Sequence, residues 1–154
     1  MMTYRMATAE DAPLLAQVRL DFLREASGSL SPAEADDLLA ANTAYLSRAL
    51  ADGSFLSWMA LEDGNIVGTS GVTFYILPPN RHCPDGKSAY ISNMFTYPAY
   101  RGQGIATRLF VMTVDAAAQQ GHRNICLKAT EMGRPLYEKY GFKDAHDYMA
   151  YRAE

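Results

Sequence analysis

The period of the apolar positions changes along this 154-residue chain, and the changes mark out its elements. Tyr4-Arg5-Met6-Ala7 reads as a short first strand. Leu15, Val18 and Phe22 then recur at helical spacing, which predicts an amphipathic helix over 9–26. Thr8 with Asp11 resembles a capping box, Pro13 is tolerated in the first turn, and Ser27-Gly28 ends the helix. Ser31-Pro32-Ala33-Glu34 starts a second helix with an N-cap, Pro at N1 and Glu at N3. It runs to about Leu50 and stops at Asp52-Gly53. Residues 54–61 read as a strand, Asp63-Gly64-Asn65 as a hairpin turn, and 66–75 as the returning strand. Gly68 and Gly71 inside that strand suggest a bend or a close neighbour. After a polar loop from Pro78 to Lys87, residues 88–97 form another strand.

Beyond it the period returns to that of a helix. Ile105, Leu109, Met112 and Ala116 share one face of a helix that ends at Gly121. Residues 124–129 read as a strand, 134–140 as a short helix closed by Gly141, and 147–151 as a last strand. The order is β-α-α-β-β-β-α-β-α-β, with no repeat, linker or low-complexity segment, so 1–154 is expected to form a single domain.

Between strand 88–97 and the following helix lies Tyr100-Arg101-Gly102-Gln103-Gly104-Ile105-Ala106-Thr107. Gly102 and Gly104 let the backbone take positive φ and approach a ligand closely. The first amides of the new helix have no intrahelical partner and lie at the positive end of its dipole. Such a turn suits a phosphate or pyrophosphate. A Walker loop would place Lys and then Ser or Thr after the last glycine, where Ile105 and Ala106 stand. A Rossmann fingerprint would place a third glycine at Thr107, and no clear second βαβ unit follows. An ordinary strand–helix connection would use the same glycines for packing alone.

Composition narrows the function classes. Net charge is −3 with no basic cluster, which disfavours a nucleic-acid partner. No apolar run approaches the ~20 residues of a membrane helix, and the start of the chain lacks the apolar stretch of a signal peptide. A cytoplasmic location with no membrane partner is therefore expected. Cys126 reads as a small residue buried mid-strand, and Cys83 as part of an exposed loop. Neither has companions at metal-ligand spacing, so no metal is expected.

Arg-x-x-Gly-x-Ala at Arg101–Ala106, behind a strand ending in Tyr97-Pro98, resembles the coenzyme A loop of the GNAT superfamily of N-acetyltransferases. Leu136-Tyr137-Glu138-Lys139-Tyr140-Gly141-Phe142 resembles the family's last block, one helix and one strand further on. The strong matches cover 88–142, while 1–78 match in element order only. The closest resemblance is to small bacterial members carrying Asn-Met-aromatic-Thr, here Asn93–Thr96, whose acceptors are mostly undefined.

The resemblance implies an α/β (α+β) GNAT fold: a mixed, mostly antiparallel sheet of about six to seven strands flanked by about four helices. It implies acetyl-CoA as cosubstrate and transfer of its acetyl group to a primary amine by direct attack in a ternary complex. Met94, Phe95 and Thr96 would bind pantetheine and the acetyl carbonyl through their backbone. The amides of Arg101, Gly102, Gln103, Gly104, Ile105, Ala106 and Thr107 would cradle the pyrophosphate, with the Arg101 or Arg108 side chain adding charge. Tyr137 matches the tyrosine that protonates the departing thiolate. Some relatives carry a glutamate on the strand before the loop, where this chain has Asn93, so Glu131 is the first candidate for the base. Asp21 and Glu25 would attract a cationic acceptor or lie on a solvated helix face. The expected acceptor is a small-molecule amine, with a protein or peptide N-acetyltransferase or a non-catalytic CoA-binding module as alternatives. Many relatives pair as homodimers.

Overall fold

The computed structural model describes residues 1–153. The chain opens with β1 (Met2–Met6), a 3-10 turn at Ala9–Asp11, α1 (Ala12–Ser27) and α2 (Pro32–Asp52). There follow β2 (Phe55–Glu62), β3 (Asn65–Ile76) and β4 (Lys87–Thr96), a 3-10 turn at Pro98–Tyr100 and α3 (Ile105–Gln119). β5 (Asn124–Leu127) and α4 (Arg134–Tyr140) complete the order. Local chemistry fixes the helix starts. At α2 the Ser31 N–H donates to Glu34 Oε2 at 2.8 Å, and the Glu34 N–H donates to Ser31 Oγ at 3.2 Å. Before α1 the Thr8 N–H donates to Asp11 Oδ2 at 2.8 Å.

The strands form one sheet in the order β1-β2-β3-β4-β5. The first four pair antiparallel, and β4 with β5 pairs parallel. Alternate residues of β2 serve opposite faces. Met59 joins Phe55 and Leu61 in a core with Leu15, Ala16 and Leu46 from α1 and α2. Its neighbour Ala60 joins Val67 in packing against Ile105 and Leu109 of α3. A third cluster joins β3 and β4 to Phe110 and Val114 of α3 and Tyr137 of α4. The glycines in β3 mark close neighbours, as their positions suggest. A Cβ on Gly71 would collide with the Phe55 ring, and one on Gly68 would lie 3.1 Å from Ile105 Cγ2.

Five expectations need correction. The sheet has five strands among the described residues rather than six or seven. Residues 147–151 form no strand: Tyr148, Met149 and Tyr151 are all exposed, so neither alternate set is buried and no face selects a register. The strand expected over 124–129 stops at Leu127, where its ladder with β4 ends. Cys83, expected in an exposed loop, is buried, and its Sγ lies 3.5 Å from the Lys87 carbonyl oxygen. Cys126 is half-buried, and both thiols are free.

Candidate active site

A bulge and a split in the sheet create the site. Opposite β3 the register of β4 jumps, so that Gly71 pairs with Ser92 while Thr69 pairs with Phe95. Asn93 and Met94 therefore face the single residue Ser70, a β-bulge. Asn93 sits there at φ +55, a conformation that asparagine tolerates better than most residues. The Thr69 hydroxyl donates to its carbonyl at 2.9 Å, and Arg19 Nη1 donates to its Oδ1 at 2.7 Å. On its other side β4 pairs with β5 only as far as Ile91–Leu127, yet continues to Thr96. From that point the two chains diverge.

The divergence opens a cleft of about 740 Å³. Met94, Phe95 and Thr96 form one wall, and Gly102, Gly104, Ile105, Ala106 and Thr107 form the floor. Glu131 and Tyr137 line the cleft as well. Gly102 and Gly104 have φ +77 and +79, which explains why glycine is needed at both. A Cβ at either would point into open space, so the turn presents bare backbone to the cleft. The N–H groups of Gly102 through Thr107 have no protein acceptor among the described residues. They crown the N-terminus of a 15-residue helix.

The side chains are less uniform than the backbone. The Arg101 guanidinium is used structurally. Its Nε donates to the Thr96 carbonyl at 2.8 Å, and its Nη2 donates to both Glu25 oxygens at 2.7 and 2.8 Å. This brace ties the glycine turn to α1. Arg101 also lines the cleft beside the turn. Arg108 turns away, lying 4.0 Å over the Tyr4 ring. Gln103 is exposed and does not line the cleft, although its N–H stands between the two glycines. Asp21 accepts from the Tyr97 hydroxyl at 2.6 Å and is thereby tied to the sheet.

Tyr137 is 7% exposed and packs its ring 5.0 Å from that of Phe110. Burial raises its pKa, so the phenol stays protonated through neutral pH. Its hydroxyl has no protein partner among the described residues. Gly133 makes room for it, since a Cβ there would fall 2.8 Å from the Tyr137 hydroxyl. Glu131 is exposed and unpaired at the rim. Phe22 and Ala26 of α1 also line the cleft; sequence reading missed them, because an i, i+4 pair on a helix looks like ordinary packing. Among the described residues no three His, Cys, Asp or Glu side chains gather as metal ligands. No helix among them is long and apolar enough to cross a membrane.

A family model described as an acetyltransferase (GNAT) domain matches residues 29–151. A crystal structure of a predicted acetyltransferase from Clostridium acetobutylicum, with acetyl-CoA, is 34% identical. It superposes with a TM-score of 0.90 over 99% of this chain and 96% of that one. A GCN5-related N-acetyltransferase from Ralstonia eutropha is 28% identical, with a TM-score of 0.88 over 99% of both chains. An aminoglycoside acetyltransferase from an uncultured soil metagenomic sample shares the fold at 21% identity and TM-score 0.73, over 100% of this chain and 99% of that one. No curated protein matches the chain. The bulged strand, the parting of β4 from β5 and the glycine turn thus occur in a mixed α/β domain, and the chain belongs to the GNAT acetyltransferases.

Proposed function

We propose that this protein moves the acetyl group of acetyl-CoA to a primary amine of a small molecule by direct attack in a ternary complex. The supporting observation is the run of unpartnered N–H groups from Gly102 to Thr107, opening into the cleft where β4 leaves β5. Those amides and the α3 dipole fit a pyrophosphate, and the cleft beside them is long enough to reach from the turn to Met94 and Tyr137. The cosubstrate supplies an activated acetyl thioester.

The chain supplies positioning and proton transfer. Backbone groups of Met94, Phe95 and Thr96, released from the β5 ladder, hold the cosubstrate in an extended conformation as an added strand would. An N–H from this stretch aimed at the acetyl oxygen contributes about 3 kcal/mol to transition-state stabilisation. The attacking amine must be neutral. Among the described residues two carboxylates, Glu25 and Glu131, line the cleft, and Glu25 is already bound to Arg101. The amine's proton is therefore assigned to Glu131, directly or through water. Tyr137, held neutral by burial, gives its proton to the departing thiolate.

The test is thiol release from acetyl-CoA across a broad amine panel, repeated with Tyr137→Phe. Wild type is expected to release thiol with at least one amine. The variant is expected to lose about 100-fold in kcat with little change in acetyl-CoA affinity. Release no faster than an enzyme-free blank with every amine contradicts the proposed activity. Unchanged kcat in the variant removes Tyr137 from the mechanism.

A further inference from the structure

The face of β3 and β4 that looks toward α1 and α2 is closed by apolar packing only in part, with Phe95 of β4 against Phe22 of α1 at one end. The core between those helices and β2 ends at Phe55 and Tyr45. Beyond it lies a half-buried polar row: Tyr45, Thr73, Tyr90 and Ser92. The Tyr45 hydroxyl and Thr73 Oγ1 lie 3.1 Å apart, and Thr73 is the register partner of Tyr90.

Arg19 of α1 reaches into this row. Its Nη1 donates to Asn93 Oδ1 at 2.7 Å, and its guanidinium lies 5.8 Å from the Phe22 ring. Among the described residues no carboxylate lies within salt-bridge distance of it, whereas Arg5 and Arg101 are each matched by one. Among the described residues its Nε and Nη2 have no protein acceptor. Burial lowers its pKa, with Tyr90 and Tyr45 acting in the opposite sense. A half-buried guanidinium with two free donors is poorly satisfied by protein alone. Its location adds meaning: Asn93 touches Arg19, and the next residue, Met94, lines the cleft.

We infer that Arg19 binds an anionic group of the acceptor, so that the substrate is a small amine carrying a carboxylate or phosphate. The inference rests on the acyl-transfer reading. A planar guanidinium with free donors pairs with either oxyanion. The half-buried tyrosines beside it offer hydroxyls and ring faces to a compact molecule. A polycationic acceptor would meet an unscreened positive charge at this point.

The experiment compares matched acceptors: glycine and other α-amino acids against their amides, and 2-aminoethyl phosphate against ethanolamine. Wild type is expected to favour the anionic member of at least one pair type by about tenfold or more in kcat/KM; which type responds separates carboxylate from phosphate. Arg19→Gln is expected to abolish that preference by raising KM for the anionic member while leaving the neutral amine unchanged. Arg19→Lys is expected to restore part of it. Two results overturn the inference: a wild-type preference for neutral or cationic amines, or an Arg19→Gln loss equal for both members, the mark of a residue that only holds Asn93. If Arg19→Gln fails to fold, the wild-type preference alone decides. If no amine is acetylated, the proposed activity fails separately. Arg19 is then judged by calorimetry of N-acetylglycine and N-acetylglycinamide with the protein and CoA. Tighter binding of the acid, lost in Arg19→Gln, supports the anion site, and equal or absent binding overturns it.

Discussion

Asp11 illustrates how one carboxylate joins the first strand to the first helix. Arg5 grips it with Nη1 and Nη2, each at 2.8 Å, while the Thr8 N–H donates to the same group. The Arg5 bond leads in holding its pKa down to about 2, from an ordinary value near 3.9. A depressed carboxylate adds stability above its unfolded pKa and loses it as pH falls through the folded one. Arg5 is half-exposed, so screening trims the contribution to about 1–2 kcal/mol at neutral pH. Asp11→Asn is expected to be less stable than wild type by that amount at pH 7 in urea unfolding. The gap should narrow between about pH 4 and pH 2. A gap independent of pH would show that the ion pair contributes nothing. Arg19 and Arg101 work at the same scale, and neither was legible in the sequence. Their partners Asn93 and Glu25 lie 74 and 76 positions away; on a helix wheel Arg19 looks like part of a solvated face, and Arg101 lies in the glycine turn, where its side chain reads as part of an anion cradle.

Among the elements, the glycine turn and α3 were the most legible, for a physical reason. Positive φ at Gly102 and Gly104 restricts the residue type, and the amphipathic helix behind them repeats at an unmistakable period. The bulge at Asn93–Met94 was not legible, since nothing in Asn-Met itself announces two residues opposite one. The last strand was misread because apolar content alone does not make a strand without a face to bury. Gly104→Ala puts the turn to a direct test. A Cβ there meets no atom within 4 Å, so the cost is backbone strain alone, about 1–2 kcal/mol. The expected outcome is a modestly lower Tm and acetyl-CoA affinity reduced about tenfold or more, because the N–H groups no longer converge. Unchanged affinity would mean that these amides do not hold the cosubstrate.

At the scale of the whole molecule, one sheet serves two purposes. α1 and α2 on one face and α3 on the other bury its core, while the parting of β4 from β5 leaves a cleft that runs past the turn, the bulge and Tyr137. The order of elements through α4 and the position of the glycine turn could be read from pattern and motif. The cleft's α1 wall and the polar row near Arg19 could not, because they depend on how α1 packs across the sheet. The most direct measurement is isothermal titration calorimetry of acetyl-CoA, and separately of CoA, into the purified protein. The account predicts saturable binding of one molecule per chain for both. Absence of heat from either, with the protein shown to be folded, would contradict it.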